Sequence, residues 1–556
     1  MQVLLTTLNA KYIHTNLAIR LLYALNKDKH NLSWKEFTIR ENPEHIIDKV
    51  LDYDIIAFSC YIWNITQTLE LVKLVKSKKT EIKILLGGPE VSYEYEEIIN
   101  LSYVDYIIRE EGEIPFSDFL NNYPNIENVP GLVYKQSNGE IISKSLPPKF
   151  DLRLYEDVMP YQYDDVTTLK DKVLYIETSR GCPYKCEFCL ASLDNKVRYL
   201  PDKHIKNTLL YLMEHGNTIK FLDRTFNIKR DFTLGIFDFI LKHHKTGNVF
   251  QFEITADILH QDIINYINEK VPKNLFRFEI GIQTVNQAAN LSVSRKQSFE
   301  KTKNIINQVR DKVELHLDLI VGLPLDYYAD IKYSLEEVFK LFPPELQLGF
   351  LKLLKGTPVR EKYLEHGFDY DPNPPYQLIK SNYLNQQEIN SILDLEHMLE
   401  VYWNGKKAIN TLKYITIHYS IFDFLLKLSD LFKQELNYYQ FTLTESYDML
   451  IRCSNEMYPN DSIVKEMIAL DYYLHYKTRP KQMYVNELEK EEKKIFLNKF
   501  DFGNEKKRFI VLPVSFQLDK VFNANYEPNG KSNLVIAYNG VSKAELIIPK
   551  TTAPQH

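Results

Sequence analysis

At 556 residues the chain is too long for one hydrophobic core and points to about three or four domains. Hydrophobic residues at 44% with aromatics at 13% exclude a disordered chain, and a net charge of −6 provides no general basic field for nucleic acid. Five cysteines, three of them clustered, exclude a disulfide framework.

The start, Met1-Gln-Val-Leu-Leu-Thr, has no basic leader, and no run of about 18 uninterrupted apolar residues occurs. The expectation is a soluble cytoplasmic protein. An exposed, reduced cysteine cluster suits a cytosol poor in oxygen.

In residues 1–121, predicted strands at 3–6, 32–37, 54–59, 82–86 and 106–108 alternate with helical runs around 17–25, 44–51, 68–76 and 93–100. Such alternation predicts an α/β fold with a doubly wound, Rossmann-like parallel sheet, whose ligands sit at the carboxyl ends of the strands. Two of those ends stand out, Ser59-Cys-Tyr-Ile-Trp-Asn64 and Gly87-Gly88-Pro-Glu-Val-Ser92, because paired glycines let a backbone approach a ligand closely. Taken alone they also read as ordinary strand-to-helix turns. Cys60 and Cys453 read as buried apolar fillers.

Residues 122–172 carry Pro124, Pro130, Pro147, Pro148 and Pro160 and one hairpin-like stretch, a connector of low regularity. From 173 to 360, six strands are predicted at 173–178, 218–223, 250–255, 276–282, 314–320 and 347–353, with helices near 203–215, 231–243, 263–269, 299–309 and 331–341. Repeated βα units of this length make a parallel barrel or a partial (β/α)6 barrel of the TIM type, with its chemistry at the C-terminal rim.

The first of these strands runs into Glu177-Thr-Ser-Arg-Gly-Cys182-Pro-Tyr-Lys-Cys186-Glu-Phe188-Cys189. Three thiolates at Cys-x3-Cys-x2-Cys spacing are one short of the four that usually hold an iron–sulfur cluster. A cubane here keeps one iron without a protein thiolate, and such an open position takes a substrate or cofactor. The alternative is a structural zinc, which needs a fourth ligand. His204 is the nearby candidate, but no second cysteine pair follows at finger spacing.

The motif resembles that of the radical S-adenosylmethionine (SAM) superfamily, with an aromatic, Phe188, before the third cysteine. The resemblance implies a 4Fe-4S cluster on Cys182, Cys186 and Cys189 whose open iron chelates SAM and cleaves it to methionine and a 5′-deoxyadenosyl radical. The stretch Gly-Ile-Gln-Thr, then Arg-Lys, then Leu-Asp-Leu-Ile-Val-Gly-Leu-Pro is similar to the oxygen-independent coproporphyrinogen oxidase branch. It carries SAM contacts over to Glu253, Gln283, Arg295 and Asp318, and Asp223 to the methionyl amino group. Arginine can clamp a carboxylate bidentately, and acidic groups accept from ribose hydroxyls. Each of these residues alone also reads as a rim salt bridge.

Beside this signature the N-terminal turns resemble the cobalamin-binding domain that precedes the radical domain in one large subfamily, which implies that Ser59, Gly87 and Gly88 line a cobalamin channel. The Asp-x-His-x-x-Gly motif that supplies a cobalt-ligating histidine is absent, and His14, after Leu8-Asn-Ala-Lys-Tyr-Ile, is not assigned as a cobalt ligand.

Residues 361–556 are predicted mostly helical over 386–495, with a short β-rich tail, and resemble the uncharacterised C-terminal domain of some cobalamin-type radical SAM proteins. There it is expected to close the barrel mouth and shape substrate choice. The leading expectation is a cobalamin-dependent radical SAM methyltransferase acting on an unactivated carbon. A cobalamin-independent radical SAM oxidoreductase, cyclase or rearrangement enzyme and a non-catalytic iron–sulfur sensor or scaffold are the alternatives. A small-molecule substrate of unassigned class and an electron donor such as flavodoxin or ferredoxin are the expected partners, with neither nucleic acid nor membrane. No catalytic side chain is assigned.

Overall fold

Strand β1 (Val3–Asn9) is buried along its whole length, as the central strand of a sheet covered on both faces must be. Period-2 alternation sends Leu4, Leu8, Ile56, Phe58, Ile84 and Leu86 into one core and Val3, Leu5, Ile55, Ala57 and Leu85 into the other. Full burial of each such side chain contributes roughly 1.5–3 kcal/mol. The computed structural model describes residues 1–500, 508–526 and 530–547.

The sheet also holds β2 (Leu32–Thr38), β3 (Ile55–Ser59), β4 (Lys83–Gly87) and β5 (Tyr106–Ile108), all parallel. Its order is β2-β1-β3-β4-β5-β6-β7, and β6 (Leu132–Lys135) and β7 (Ile141–Ser143) run antiparallel. The connector is therefore more regular than its prolines suggest. Its hairpin extends the N-terminal sheet because Leu132 and Val133 bury fully against the two cores. The helix expected over 93–100 is broken into Pro89–Ser92 and Glu96–Ile99, with Glu94 at φ +50 between them.

The second sheet is the predicted six-stranded one, in consecutive order: β8 (Val173–Ile176), β9 (Thr218–Phe221), β10 (Val249–Ile254), β11 (Phe276–Gln283), β12 (Glu314–Val321) and β13 (Glu345–Phe350). On β10 and β11 alternate residues differ in kind. Phe252, Phe276 and Phe278 pack on Phe237 of the helix Arg230–His243, at ring centroid distances of 5.3, 4.6 and 6.4 Å. The intervening side chains meet across the other face, where Lys220 Nζ donates to both oxygens of Glu279 at 2.8 Å and Gln251 also donates to Glu279. The barrel is thus aromatic outside and ionic inside.

β8 is the open edge of this sheet, and the N-terminal domain covers it. Val173 N–H donates to Ile13 O at 2.7 Å, Thr15 Oγ1 donates to Val173 O at 3.0 Å, and His14 pairs with Val173 as an isolated parallel bridge. Tyr161 of the connector completes the cover, its hydroxyl accepting from Tyr175 N–H at 2.8 Å and donating to Tyr175 O at 2.9 Å. Nearby, buried Arg20 pairs with Glu36 at 2.9 Å and Asp164 at 2.6 Å, tying helix Leu17–Asn26 to the connector.

Contacts divide the chain into two units, residues 1–326 with 349–383, and residues 327–348 with 384–556. These boundaries differ from those expected at 173–360 and 361–556. In the second unit the helix Tyr328–Phe339, read as a barrel helix, pairs through Lys332 with Asp423 at 2.7 Å, and its Phe339 ring meets Trp403 at 4.6 Å. Helices Gln386–Leu399, Ile409–His418, Ile421–Glu435, Leu443–Met457 and Ser462–His475 form the bulk of this unit. An antiparallel sheet of Arg508–Val514, Ser532–Tyr538 and Glu545–Ile547 accounts for the predicted β-rich tail. Among the described residues no helix is long and apolar enough to cross a membrane.

Since one hydroxyl satisfies both backbone groups of Tyr175, Tyr161→Phe is expected to destabilise the first unit by about 1–3 kcal/mol. Amide exchange at Tyr175 should accelerate while exchange in β11 stays unchanged; equal protection in the variant would show that the hydroxyl does not seal the edge.

Candidate functional site

The site begins at the carboxyl ends of β3 and β4. Asn64, fully buried, holds the turn after β3: its Nδ2 donates to Leu8 O and Ser59 O at 3.1 Å each, and its Oδ1 accepts from Tyr61 N–H at 2.7 Å. Cys60 N–H donates to Gly87 O at 2.7 Å. At Gly88, φ is +109 and a Cβ would lie 2.5 Å from Cys60 O, so glycine is required twice over, by conformation and by space. Ser92 Oγ donates to Gly88 O and accepts from Glu110 N–H, both at 2.9 Å, linking this turn to the segment after β5.

Ser59, Gly87 and Gly88 all line one cavity of about 790 Å³. Its inner part is apolar, walled by Leu5, Leu22, Ala57, Leu85 and Phe116, and its opposite wall comes from the barrel, through Tyr175, Glu177, Arg180, Leu222 and Arg224. Leu190 and Leu193, just beyond the third cysteine, also reach it. His14 lines the same cavity, with Nδ1 held by the Tyr175 hydroxyl at 2.8 Å. Burial, with Lys11 and Lys220 adding to it, lowers the His14 pKa and favours a neutral imidazole.

The cysteine loop leaves β8 under several restraints. Asp223, buried at the end of β9, accepts from Thr178 N–H at 3.0 Å, Thr178 Oγ1 at 2.6 Å and Ser179 Oγ at 2.5 Å. Burial pushes this carboxyl up to about 6 against the pull of those donors. Asp223 thus holds the start of the loop, and the methionyl amino group that the family resemblance gives it would be a further donor to the same carboxylate. Gly181 lies at φ +89, with a Cβ position 2.5 Å from Lys196 O, and Cys182 N–H donates to Asp194 O at 2.8 Å. Glu187 is fixed by Lys362 at 2.7 Å and by its own N–H to Val293 O at 3.0 Å.

Cys182 and Cys186 are buried and Cys189 is half-buried, as is Phe188. Among the described residues no group of three or more His, Cys, Asp or Glu side chains is gathered to hold a metal ion. His204, the fourth ligand that the zinc alternative needs, is buried with its ring tilted against Tyr155 at a centroid distance of 5.7 Å. A multi-iron cluster takes its thiolates at wider spacing than one tetrahedral ion does, and three on one loop fit it with one iron left open. The electrostatics also suit thiolates. Arg295 Nη1 lies 3.7 Å from Cys186 Sγ, and the guanidinium of Arg224, whose side chain is exposed, keeps its charge against desolvation through Glu253 first and then through Cys189 and Cys182. Burial raises the Cys186 pKa, and Arg295 opposes the rise.

The SAM residues expected from the resemblance gather at the same rim. Arg295 spans the gap from Cys186 to β11, donating through Nη2 to Gly281 O at 2.5 Å and to Gln297 at 2.8 Å. Gln283 sits at φ +69, and its buried Oε1 has no hydrogen-bond partner. Asp257 Oδ1 is likewise buried without a partner. Buried acceptors are normally satisfied, so two open ones beside a guanidinium suit a ligand that brings both donors and a carboxylate. Glu253 pairs with Arg224 at 3.7 Å, and burial raises its pKa. Asp318 Oδ1 lies 3.0 Å from His316 Nε2.

Sequence reasoning missed Arg224, Asn64, Arg180 and the ionic lumen of Lys220, Glu279 and His316. The lumen had a signal, since a lysine and a glutamate at inward positions of otherwise apolar strands are costly unless paired. Arg224 had only its place beside Asp223.

Three family models match the chain: a B12 binding domain over residues 3–120, the radical SAM superfamily over 176–338, and a protein of unknown function, DUF4080, over 364–520. The cobalamin-dependent radical SAM methyltransferase TokK of Streptomyces tokunonensis is 27% identical over 190 residues, 31% of this chain and 27% of that protein. Hopanoid C-3 methylase of Methylococcus capsulatus is 30% identical over 176 residues, 29% of this chain and 33% of that protein. The matched regions thus span a third or less of these two relatives. The structure of the cobalamin-dependent SAM radical enzyme OxsB with aqua-cobalamin superposes with a TM-score of 0.62 at 16% identity, covering 86% of this chain and 82% of that one, a likeness of fold. B12-binding, radical SAM and DUF4080 domains thus follow one another along the chain, an order that matches a cobalamin-binding radical SAM family with an uncharacterised C-terminal domain.

Proposed function

We propose that this chain is a cobalamin-dependent radical SAM enzyme that methylates an unactivated carbon of a small molecule. The observation that carries the reading is the single cavity whose walls come from the Gly87-Gly88 turn on one side and from Arg224 and the cysteine-loop residues Leu190 and Leu193 on the other. A methyl donor on the first wall thus faces the place where a radical is made on the second.

When bound, the cluster and SAM supply a 5′-deoxyadenosyl radical and cobalamin supplies the methyl group. Cys182, Cys186 and Cys189 would hold the cluster, with Arg224 and Arg295 balancing the charge of the thiolates. Arg295, Gln283, Asp257 and Glu253 would grip SAM at the rim, the guanidinium taking the carboxylate and the open acceptors taking hydroxyl and amino donors. Leu5, Ala57, Leu85 and Phe116 exclude water from the inner cavity, and Gly88 lets its turn close against the Cys60 backbone at the cavity wall. The electron comes from a small donor protein such as flavodoxin or ferredoxin in an oxygen-poor cytoplasm.

Purified without air and reconstituted with iron and sulfide, the protein is expected to form deoxyadenosine from SAM on addition of dithionite. A corrinoid absorption should persist through gel filtration. Replacing all three cysteines of the loop by alanine should abolish both iron binding and deoxyadenosine. An iron-loaded protein that leaves SAM intact would make the chain a sensor or scaffold, and deoxyadenosine without a retained corrinoid would remove cobalamin from the reading. Methyl-labelled SAM added to an anaerobic extract identifies the substrate by the mass of the labelled product.

Gly88→Ala is a narrower check. A positive φ costs a non-glycine residue about 1–2 kcal/mol, and the clash with Cys60 adds to it, so hydroxocobalamin affinity should fall at least about tenfold. Deoxyadenosine formation without substrate should be retained. Unchanged affinity would place the cobalamin elsewhere.

A further inference from the structure

Behind the cysteine loop lies an ion network to which the reading above gives no role. Residues Glu110, Glu111, Gly112 and Glu113 follow β5 and line the cavity. The Glu111 and Glu113 carboxylates turn toward the barrel. Arg180 meets Glu113 at 2.7 Å, Glu111 at 3.6 Å and Glu177 at 2.9 Å through its three nitrogens. Arg198 pairs with Glu111 and, at 3.1 Å, with Asp194. The Tyr155 hydroxyl donates to Glu113 at 2.6 Å, and Lys149 pairs with Glu110 at 3.1 Å. This is not a solvated surface cluster, since the Arg180 and Glu113 side chains are only 15% and 7% exposed.

The network reaches the cysteines through the backbone. Arg180 stands two residues before Cys182 and pairs antiparallel with Arg198. The residues Arg198 and Cys182 both contact Asp194, one at its side chain and the other at its carbonyl, 2.8 Å from Cys182 N–H. Gly181, between Arg180 and Cys182, is packed against the carbonyls of Asp194 and Lys196 with no room for a Cβ. The first cysteine and the wall of the cavity are therefore held by one guanidinium. Removing a partner from such a buried pair leaves an uncompensated charge, so the arrangement is kept or lost as a unit.

We propose that Arg180 is a positioning residue that couples the two cofactor sites, so that a cobalamin seated against residues 110–113 and a cluster formed on residues 182–189 each favour the binding of the other. The inference rests on the proposed function for the identity of the two ligands. A corrinoid packed on the 110–113 segment restrains Glu111 and Glu113. These restrain Arg180, and through Arg180 the arm that carries Cys182 is set. Coupling between sites is reciprocal, so the same factor appears whichever ligand is added first.

The test is an absorbance titration of hydroxocobalamin into full-length protein, once reconstituted with iron and sulfide and once cluster-free. In the wild type, cluster loading should tighten hydroxocobalamin binding at least about fivefold. In Arg180→Gln the ratio of the two affinities should fall to about one, and Arg180→Lys, which keeps the charge and loses the fork, should give an intermediate ratio. Arg153→Gln, at an arginine 88% exposed and paired only with Asp151, should leave the ratio at the wild-type value. Should Arg180→Gln fail to fold, Glu111→Gln reports on the same link. Loss of iron to a chelator supplies the reciprocal reading, slowed by hydroxocobalamin in the wild type and not in Arg180→Gln. A wild-type ratio of one, or a ratio that survives in Arg180→Gln while both affinities drop together, overturns the coupling and leaves the proposed function standing. Failure of the wild type to bind hydroxocobalamin in either form overturns both.

Discussion

An open parallel sheet ends in a strand whose backbone groups lack partners on one side, and here that strand is β8. Everything at the site follows from how its edge is covered. The chain places Ile13, Thr15 and Tyr161 along Val173 and Tyr175, so the N-terminal domain and the connector supply what a seventh barrel strand would supply elsewhere. The same strand runs directly into the cysteine loop, and its Tyr175 hydroxyl holds His14 at the cavity wall. Covering the edge and building the site are thus one act. A partial barrel without the first domain would expose both β8 and one side of the cavity.

The barrel interior explains why the chemistry sits at the rim and not deeper. Glu279 is saturated by Lys220 and Gln251, and Arg277 lies 3.0 Å from His316 Nδ1. Ionic groups in such a lumen must be paired with one another, which fills the space below the rim. One layer higher the pairing fails, at Gln283 Oε1 and Asp257 Oδ1. Unfilled acceptors at the carboxyl ends, above a filled layer, are what a rim site looks like before its ligand is counted.

Much of this was legible in the sequence because it is encoded locally. The alternation of strands and helices, the cysteine spacing and the Gly87-Gly88 turn each depend on residues close in the chain, and each stands where it was expected. The features that were not legible join distant segments. Nothing local marks Glu111 and Glu113, which meet Arg180 and Arg198 only in the fold, and Arg224 acquires meaning only through Glu253 and the cysteines. In the connector the hairpin was legible locally, but its joining the N-terminal sheet was not, since the burial of Leu132 and Val133 is decided by sheet partners. Asp223 belongs to both kinds: its place after a strand is local, while the hydroxyls it accepts from, on Thr178 and Ser179, come from the end of the neighbouring strand.

The C-terminal unit carries this reasoning to its end. Helix Ile409–His418 begins at Ala408, which cannot cap it, and Asp471 of the helix Ser462–His475 does so instead, accepting from Thr411 N–H at 2.8 Å and Asn410 N–H at 3.1 Å. Burial pushes that carboxyl up to about 6, and the donors of the helix end pull against the rise. Ser429, Ser446 and Ser454 each donate to a carbonyl three residues earlier, all near 2.7 Å. These buried polar groups are committed to holding helices. An amphipathic helical segment therefore encodes packing in a form that sequence can reveal, and leaves nothing comparable to a cysteine triplet from which a reaction could be read.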